Sequence, residues 1–414
     1  MTRRMPPPIA ATVLGPTTIR RRQPFANLPE TNFPPLGNRL MRIIDRYILR
    51  QFVQTFLICF VSLVGLYVVF DAFTNLESFL KAAGDSGGLL GIIASYYAYQ
   101  SLAFFDMTAG ILALIAAMFT ITWLQRHNEM TALMAAGVPR FRAALPVIIA
   151  ASSIAVLATV NRELIMPRYR AELRRKPSDL AGEVSRSFES RYDEQTDIVI
   201  RGDAAYPATQ RIGKPTFQLP PTLASYGSQL IAENAFFRPP ERDRPGGYLL
   251  VSVKQPRDLT SRDSLKLDGR PVILMPKDFD WLKDDECFVV SKASFDLLTE
   301  GLEYASTARM IAGLRNPSID FGPGTRVAIH ARMVHPFTDI TLLLLGIPLV
   351  MTRENRNIFK AIGLCVLVVA IFVLVLMAFQ YLGTTYLIPP HLAAWAPLLV
   401  FVPVAVAMSS SMWK

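Results

Sequence analysis

Charge is scarce in this chain, and so are the residue types that metal and redox chemistry need. Of its 414 residues 18% are charged and 51% are hydrophobic. That is too apolar for an ordinary soluble domain and too polar for a protein made only of membrane spans. Three cysteines are present. Cys59 and Cys365 fall inside apolar runs and Cys287 stands by itself in the large polar segment, so that segment holds no cysteine pair to join, and all three read as buried small apolar side chains. Four histidines, at 127, 330, 335 and 391, show no ligand spacing, and neither H-E-x-x-H nor C-x-x-C occurs. No metal and no cofactor is implied. The phosphate loop G-x-x-x-x-G-K-[ST] is missing too, so the chain is not an ATPase by that route, and any energy from ATP has to come from a partner. No cleavable secretory signal is expected, because residues 1–40 carry arginines and prolines but no apolar core.

What is abundant is uncharged apolar sequence. A helix rising about 1.5 Å per residue needs about 18 or more such residues to cross about 30 Å of hydrocarbon. Residues 51–70, 107–125, 143–161, 361–390 and 392–413 meet this without a single charge, and residues 333–352 meet it with His335 and Asp339 near their start. Six spans follow. Lys and Arg cluster in alternate short connections: Arg39, Arg42, Arg46 and Arg50; Arg126, Arg140 and Arg142; Arg353, Arg356 and Lys360; and Lys414. Lys81 alone offsets Asp71, Glu77 and Asp85 after the first span. The positive-inside rule then places both termini in the cytoplasm and residues 163–332 outside it. The net charge of +10 has a topological origin: nine arginines against two acids fall in the first 50 residues. It is not a nucleic-acid footprint.

The predicted plan has four parts. Residues 1–40, with eight prolines before residue 39, form a disordered cytoplasmic tail, and Met41 reads as the true start. Residues 41–162 hold three spans. Residues 163–332 hold an extracytoplasmic β domain, its strands signalled by "TDIVIRG", "SQLIAENAFF", "GYLLVSVKQ", "RPVILMP" and "CFVVSKASFDLL" between turn formers. In "YLLVSVK", Leu249, Val251 and Val253 alternate with Tyr248, Leu250, Ser252 and Lys254, which suits a sheet with one buried face, and a β-sandwich or jelly roll is expected. "RELIMPRYRAELRRK" reads as span 3 continuing out of the membrane as a helix. Residues 333–414 hold three more spans. The fold class is a polytopic α-helical membrane protein with an inserted jelly-roll-like domain.

Between spans 2 and 3 lies "RHNEMTALMAAGVPRFR", residues 126–142. Met130, Leu133, Met134 and Gly137 recur at i, i+3, i+4 and i+7, giving a short helix one soft apolar stripe. Glu129 sits in the first turn, where the helix dipole favours an anion. Gly137 suits the left-handed position after the helix and Pro139 stops it. About two turns of helix are not stable alone in water, so this one docks, either on a partner's groove or on its own bundle.

This loop and its flanks resemble the LptF/LptG permease family, the membrane subunits of the lipopolysaccharide exporter. The resemblance is carried by "IDRYILRQF" with "VVFDAFTNLESFLKAAG", by "NEMTALMAAGVPRFRAALPVI", and by "VAIHARMVHPFTDITLLLLGIPLVMTRENRN". It implies that residues 126–142 are a coupling helix seated on a cytosolic ABC ATPase of the LptB kind, with Glu129 in contact and Arg126, Met130, Leu133, Met134 and Gly137 completing the surface. It also implies a second permease subunit, paralogue or copy, LptC- and LptA-like periplasmic bridge proteins, an inner-membrane location, and a jelly roll that receives lipopolysaccharide or a related lipid. Two positions depart from the family pattern. Asp106 stands where a proline is usual, and the cationic cluster near the outer end of span 1 is reduced to Lys81, the lipid-binding candidate here.

Other features have two readings each. His335 and Asp339, four residues apart, are a proton relay or an interfacial polar pair. Pro146, Pro348, Pro397 and Pro403 bend and pack their helices or hinge them. Asp71 and Asp106 lie near the outer ends of spans without an aspartyl-protease glycine signature. The competing functional class is a non-transporting scaffold or receptor with an external binding domain.

Overall fold

The computed structural model describes residues 36–86, 88–181, 186–188, 190–242, 244–267, 269–299, 302–351 and 358–410. Most of the proline-rich segment, Arg353, Arg356 and Lys414 lie outside them. Among the described residues six helices are long and apolar enough to cross a membrane. In chain order the first helices are α1 (Leu36–Thr74), α2 (Leu76–Ser86), α3 (Leu89–Arg126), α4 (Glu129–Ala135) and α5 (Arg140–Val160). A π-turn (Asn161–Ile165), a 3₁₀ turn (Met166–Arg168) and α6 (Arg170–Leu173) follow. After the β region come α7 (Phe295–Thr299), α8 (Thr307–Leu314), α9 (Gly322–Met351), α10 (Ile358–Thr384) and α11 (Pro390–Ser409). The spans are α1, α3, α5, α9, α10 and α11.

Several helices outrun their apolar runs. α1 begins at Leu36, ahead of Met41; α3 begins at Leu89, long before Met107; α9 begins at Gly322, ahead of Met333.

α9 is the centre of the bundle, packed on α3, α5, α10 and α11. Its span is 56% buried, against 6% for α1 and 11% for α10. Gly346 lets α9 close on α3, since a Cβ there would run into Leu114. α1 is held differently, by aromatic rings. Phe56 and Phe60 meet Phe105 edge-on at 6.5 and 5.7 Å, and Tyr67 stacks on Phe104 at 5.5 Å and meets Tyr97 edge-on at 6.0 Å. Large rings keep the two axes apart, so most of α1 remains open. Pro336 and Pro348 both lie within α9 without ending it.

Among the described residues the inserted region forms one antiparallel sheet of eleven strands. These are β1 (Arg186–Ser187), β2 (Arg191–Asp193), β3 (Ile198–Arg201), β4 (Ala204–Tyr206), β5 (Arg211–Gly213), β6 (Thr216–Gln218), β7 (Gln229–Arg238), β8 (Gly247–Gln255), β9 (Leu265–Leu267), β10 (Arg270–Leu274) and β11 (Cys287–Val290). The order is β1-β4-β5-β7-β8-β11-β10-β9, and the sheet forks at β7. β8 runs along one edge of this long strand; β6 pairs its first half and β5 its second. One limb continues through β4 to β1 and the other through β3 to β2. The fork curls the sheet around a single core that includes Ile200, Ile212, Phe217, Leu230, Tyr248, Leu250, Ile273 and Cys287. The chain is thus a helical membrane protein with an inserted, jelly-roll-like antiparallel domain.

Two strand expectations need correction. In "CFVVSKASFDLL" only the first four residues form a strand, and Phe295–Thr299 is helical. In β8 the buried residues are Tyr248 and Leu250, not Leu249 and Val251. Ser252 takes a positive φ of 56°, and the β7–β8 register shifts between Ile231 and Ala232, so that Val253 turns back onto the core. An irregularity of this kind breaks simple alternation.

Candidate functional site

The loop between α3 and α5 is a sequence of sharp turns around one small helix. α3 ends at Arg126, and Asn128 takes the left-handed conformation at φ 59°, which asparagine tolerates better than most residues. α4 then runs seven residues. At its far end Val138 N–H reaches Leu133 O at 3.0 Å and Gly137 N–H reaches Met134 O at 2.9 Å. Gly137 sits at φ 82°. These are the two bonds of a Schellman motif, with glycine where a Cβ would be strained. Pro139, extended at φ −68° and ψ 150°, opens α5.

Four side-chain contacts seat the loop. Met130 is buried, 5% exposed, among the chain's own helices. Tyr47 donates to Glu129 Oε1 at 3.2 Å. Arg142 forks onto both oxygens of Asp45 at 3.1 and 2.7 Å, the bidentate geometry that orders an ion pair best. Arg140 Nε approaches Met134 Sδ at 3.3 Å. The loop is therefore fastened to α1 as well as to α3 and α5.

The outward face of α4 differs from the one its pattern suggested. Met130 turns inward, Leu133, Met134 and Glu129 are half-buried, and Arg126, His127, Asn128, Thr131, Ala132, Ala135, Ala136 and Gly137 are exposed. Of the apolar stripe Met130 packs against its own helices, Leu133 and Met134 are partly covered, and Gly137 is open. What remains for a partner is a small-residue surface flanked by Arg126 and Glu129. Lys81 lies on α2, exposed, in an i,i+4 ion pair with Glu77 at 2.7 Å. Hydrogen bonding from Lys81 holds the Glu77 carboxyl below its ordinary value, but an exposed pair of this kind contributes little to stability.

The structure brings together charged residues that the sequence left apart. Arg162, on the π-turn beyond α5, donates Nε to both oxygens of Asp106 on α3 at 2.9 and 3.0 Å, with side chains 11% and 16% exposed. Asp106, the departure from the family's proline, thus has a partner. The signal available beforehand was that departure together with the arginine-rich exit from span 3. His335 Nδ1 and Asp339 Oδ2 lie 3.2 Å apart on α9, as their spacing predicts, yet the angle is too poor for a hydrogen bond and Oδ2 has none among the described residues. Asp339 is 13% exposed and points into the bundle against Gly110 of α3.

In the β domain Asp193 is buried; it accepts from Ser291 Oγ at 2.5 Å and from Gln195 N–H at 3.0 Å. Burial raises its pKa against the opposing pull of these hydrogen bonds. Burial likewise pushes the Cys287 thiol up to about 12 and the Tyr248 hydroxyl well above its usual value; Tyr248 donates to Ala293 O at 2.9 Å. These groups lock strands together and carry no nucleophile–base geometry. Among the described residues no cluster of three or more His, Cys, Asp or Glu is placed to hold a metal.

The sequence model of the family described as "Lipopolysaccharide export system permease LptF/LptG" matches residues 46–211 and 293–411. The match reaches all six spans and takes in the loop of α4 and both borders of the β domain; it leaves out residues 1–45 and 412–414 and the interior of the β domain from Ile212 to Lys292, which holds most of β5 and all of β6 to β11. No curated protein matches the chain. With two matched blocks that enclose the whole membrane portion, the chain belongs to the lipopolysaccharide export system permease family LptF/LptG.

Proposed function

We propose that this chain is the permease subunit of an ABC-type lipopolysaccharide exporter in the bacterial inner membrane, with both termini cytoplasmic and residues 163–332 periplasmic. A separate cytosolic ATPase of the LptB kind docks on residues 126–142. A second permease subunit, paralogue or copy, closes the lipid cavity against the open faces of α1 and α10. Lipopolysaccharide or a related lipid leaves the outer leaflet, with Lys81 near its charged headgroup, and rises into the β domain, from which LptC- and LptA-like bridge proteins take it.

Family membership supports this reading, and one structural observation carries it: the Schellman-ended α4, whose exposed face is all small residues, held rigidly by Arg142–Asp45 and Tyr47–Glu129. A rigid, smooth projection suits insertion into a groove and the transfer of force. The β domain suits the cargo, because each acyl CH₂ left in water costs about 0.8 kcal/mol. The test is co-purification. Glu129→Lys is expected to release the ATPase while the permease still inserts; retention of the ATPase by that variant at the wild-type level would remove the loop from the interface.

A further inference from the structure

The two helices that flank α4 meet again away from it, α5 at its far end and α3 near its middle, where the chain enters and leaves the β domain. α5 continues through the π-turn, an arrangement that inserts a wider turn into a helix and concentrates at functional positions. Three consecutive residues of that turn reach three different places. Asn161 donates to Leu102 O on α3 at 2.9 Å. Arg162 bonds Asp106 on α3. Glu163 takes Thr307 N–H on one oxygen at 2.8 Å and Thr307 Oγ on the other at 2.5 Å, holding the first turn of α8. α8 lies on the return path from the β domain to α9.

The opposite side of that path is gripped from α9. Arg332 donates to the carbonyls of Ala305 and, at 2.7 Å, Glu303. Further out, Arg170 pairs with Asp296 of α7 at 2.7 Å, and Arg309 of α8 shares the same carboxylate oxygen at 3.1 Å. Gln100 of α3 donates to Leu173 O of α6 at 3.1 Å. Asp106, Arg162, Glu163 and Arg332 alternate in sign and sum to zero, and the Asp106–Arg162 pair is largely removed from water. Removing one member of such a set strands its partner, so loss of a single side chain is enough to weaken the whole arrangement.

We infer that Asp106, Arg162, Glu163 and Arg332 are positioning residues that latch the β domain to the α3–α5 pair, so that displacement of α4 reaches the β domain as the movement of one body. This rests on the proposed docking of an ATPase at α4. The latch sits at the far end of α5 and near the middle of α3, the two helices that carry the loop. Its break point is the Glu163–Thr307 contact, which joins the π-turn directly to α8; Arg170 and Arg309 add a less direct link through Asp296.

The test uses the full permease complex with its ATPase, reconstituted in phosphatidylethanolamine vesicles carrying lipopolysaccharide. A photo-crosslinker in β8 reports lipid arrival, and phosphate release reports hydrolysis. Glu163→Ala is expected to leave ATP hydrolysis within twofold of wild type and to lower lipid crosslinked per ATP by tenfold or more; Glu163→Gln, which keeps an acceptor for Thr307, restores most of it. Thr307→Val, losing one hydroxyl, gives an intermediate loss and serves as the test should Glu163→Ala not insert. In parallel, spin labels on α3 and α8 should keep one distance in all nucleotide states of the wild type and spread in Glu163→Ala. Wild-type crosslinking per ATP in Glu163→Ala, or a nucleotide-dependent α3–α8 distance in the wild type, overturns the latch. Failure of the underlying reading looks different: no ATPase co-purifies with the wild type, or ATP does not stimulate its crosslinking at all.

Discussion

The carboxylate of Asp339 occupies the space that a side chain on Gly110 would fill. Helix α3 gives up a Cβ so that α9 can bring an acidic side chain against its backbone, inside a bundle otherwise packed with alanine and leucine. Neither residue is interpretable without the other.

Gly110→Ala should therefore overpack the α3–α9 contact at a cost of about 1–3 kcal/mol, read as a lower midpoint of thermal unfolding in detergent. Asp339→Ala in the same chain should recover a large part of that loss, because the obstacle is gone. Strict additivity of the two changes in a double-mutant cycle would show that the residues are not in contact.

The loop yields a pair of opposite expectations. Met130→Ala removes a buried side chain, a change that costs about 2–5 kcal/mol in a packed core, and should appear as faster amide exchange across residues 129–136. Ala135→Trp, on the exposed face, should leave exchange unchanged while abolishing ATPase co-purification. If Met130→Ala alone lost the ATPase with exchange unaltered, the two faces of α4 would have to be exchanged.

Gly137 isolates a backbone effect. No atom lies within 4 Å of where its Cβ would be, and its φ is 82°, so Gly137→Ala meets no steric neighbour and pays only for the left-handed conformation, about 1–2 kcal/mol. Cleavage by a cytosol-side protease between residues 126 and 142 should rise several-fold. An unchanged cleavage rate would mean that the Schellman turn does not hold the loop.

How much of this could be read from the sequence depends on whether the signal was local. The apolar runs set the six spans, and Gly137 with Pro139 set the end of α4, because burial and positive φ act on single residues or single turns. The helix starts at Leu89 and Gly322 escaped because a charge-free run ends at Asp106 and at Arg332, and a single charge does not say whether the helix continues past it. The inward turn of Met130 escaped because a stripe of apolar residues does not say whose groove it fills. The fork at β7 and the link from Glu163 to Thr307 join residues far apart in sequence, and no periodicity encodes such pairs. Asp106 is the middle case: its mismatch with the family pattern flagged it, but Arg162 could be assigned as its partner only in three dimensions.

Lys81 is the remaining candidate on the β-domain side of the membrane. Its ammonium is exposed and, among the described residues, pairs with Glu77, an exposed pair that exchanges readily for a better anion. Lys81→Glu should lower lipopolysaccharide crosslinking at the end of span 1 several-fold, more at low salt than at high salt because exposed charges are screened. Equal crosslinking in both salts would take Lys81 out of the lipid path.

Asp193 supplies a pH dependence with a defined sign. Burial makes the folded protein hold a proton on this carboxyl more tightly than the unfolded chain, where an aspartate titrates near about 3.9. The stabilising contribution is complete below that value and is lost as pH climbs through the raised folded-state value, since over that interval unfolding releases a proton. The β domain should therefore lose stability from Asp193 on going from mildly acid to neutral pH, even though Ser291 and Gln195 continue to donate to the charged group. Asp193→Asn keeps an acceptor for Ser291 but cannot titrate, so its melting temperature should be flatter across the same interval, whereas Asp193→Ala should cost about 1–3 kcal/mol at every pH by orphaning both donors. Wild-type and Asp193→Asn melting curves that stay parallel from about pH 4 to neutrality would assign the slope to another group.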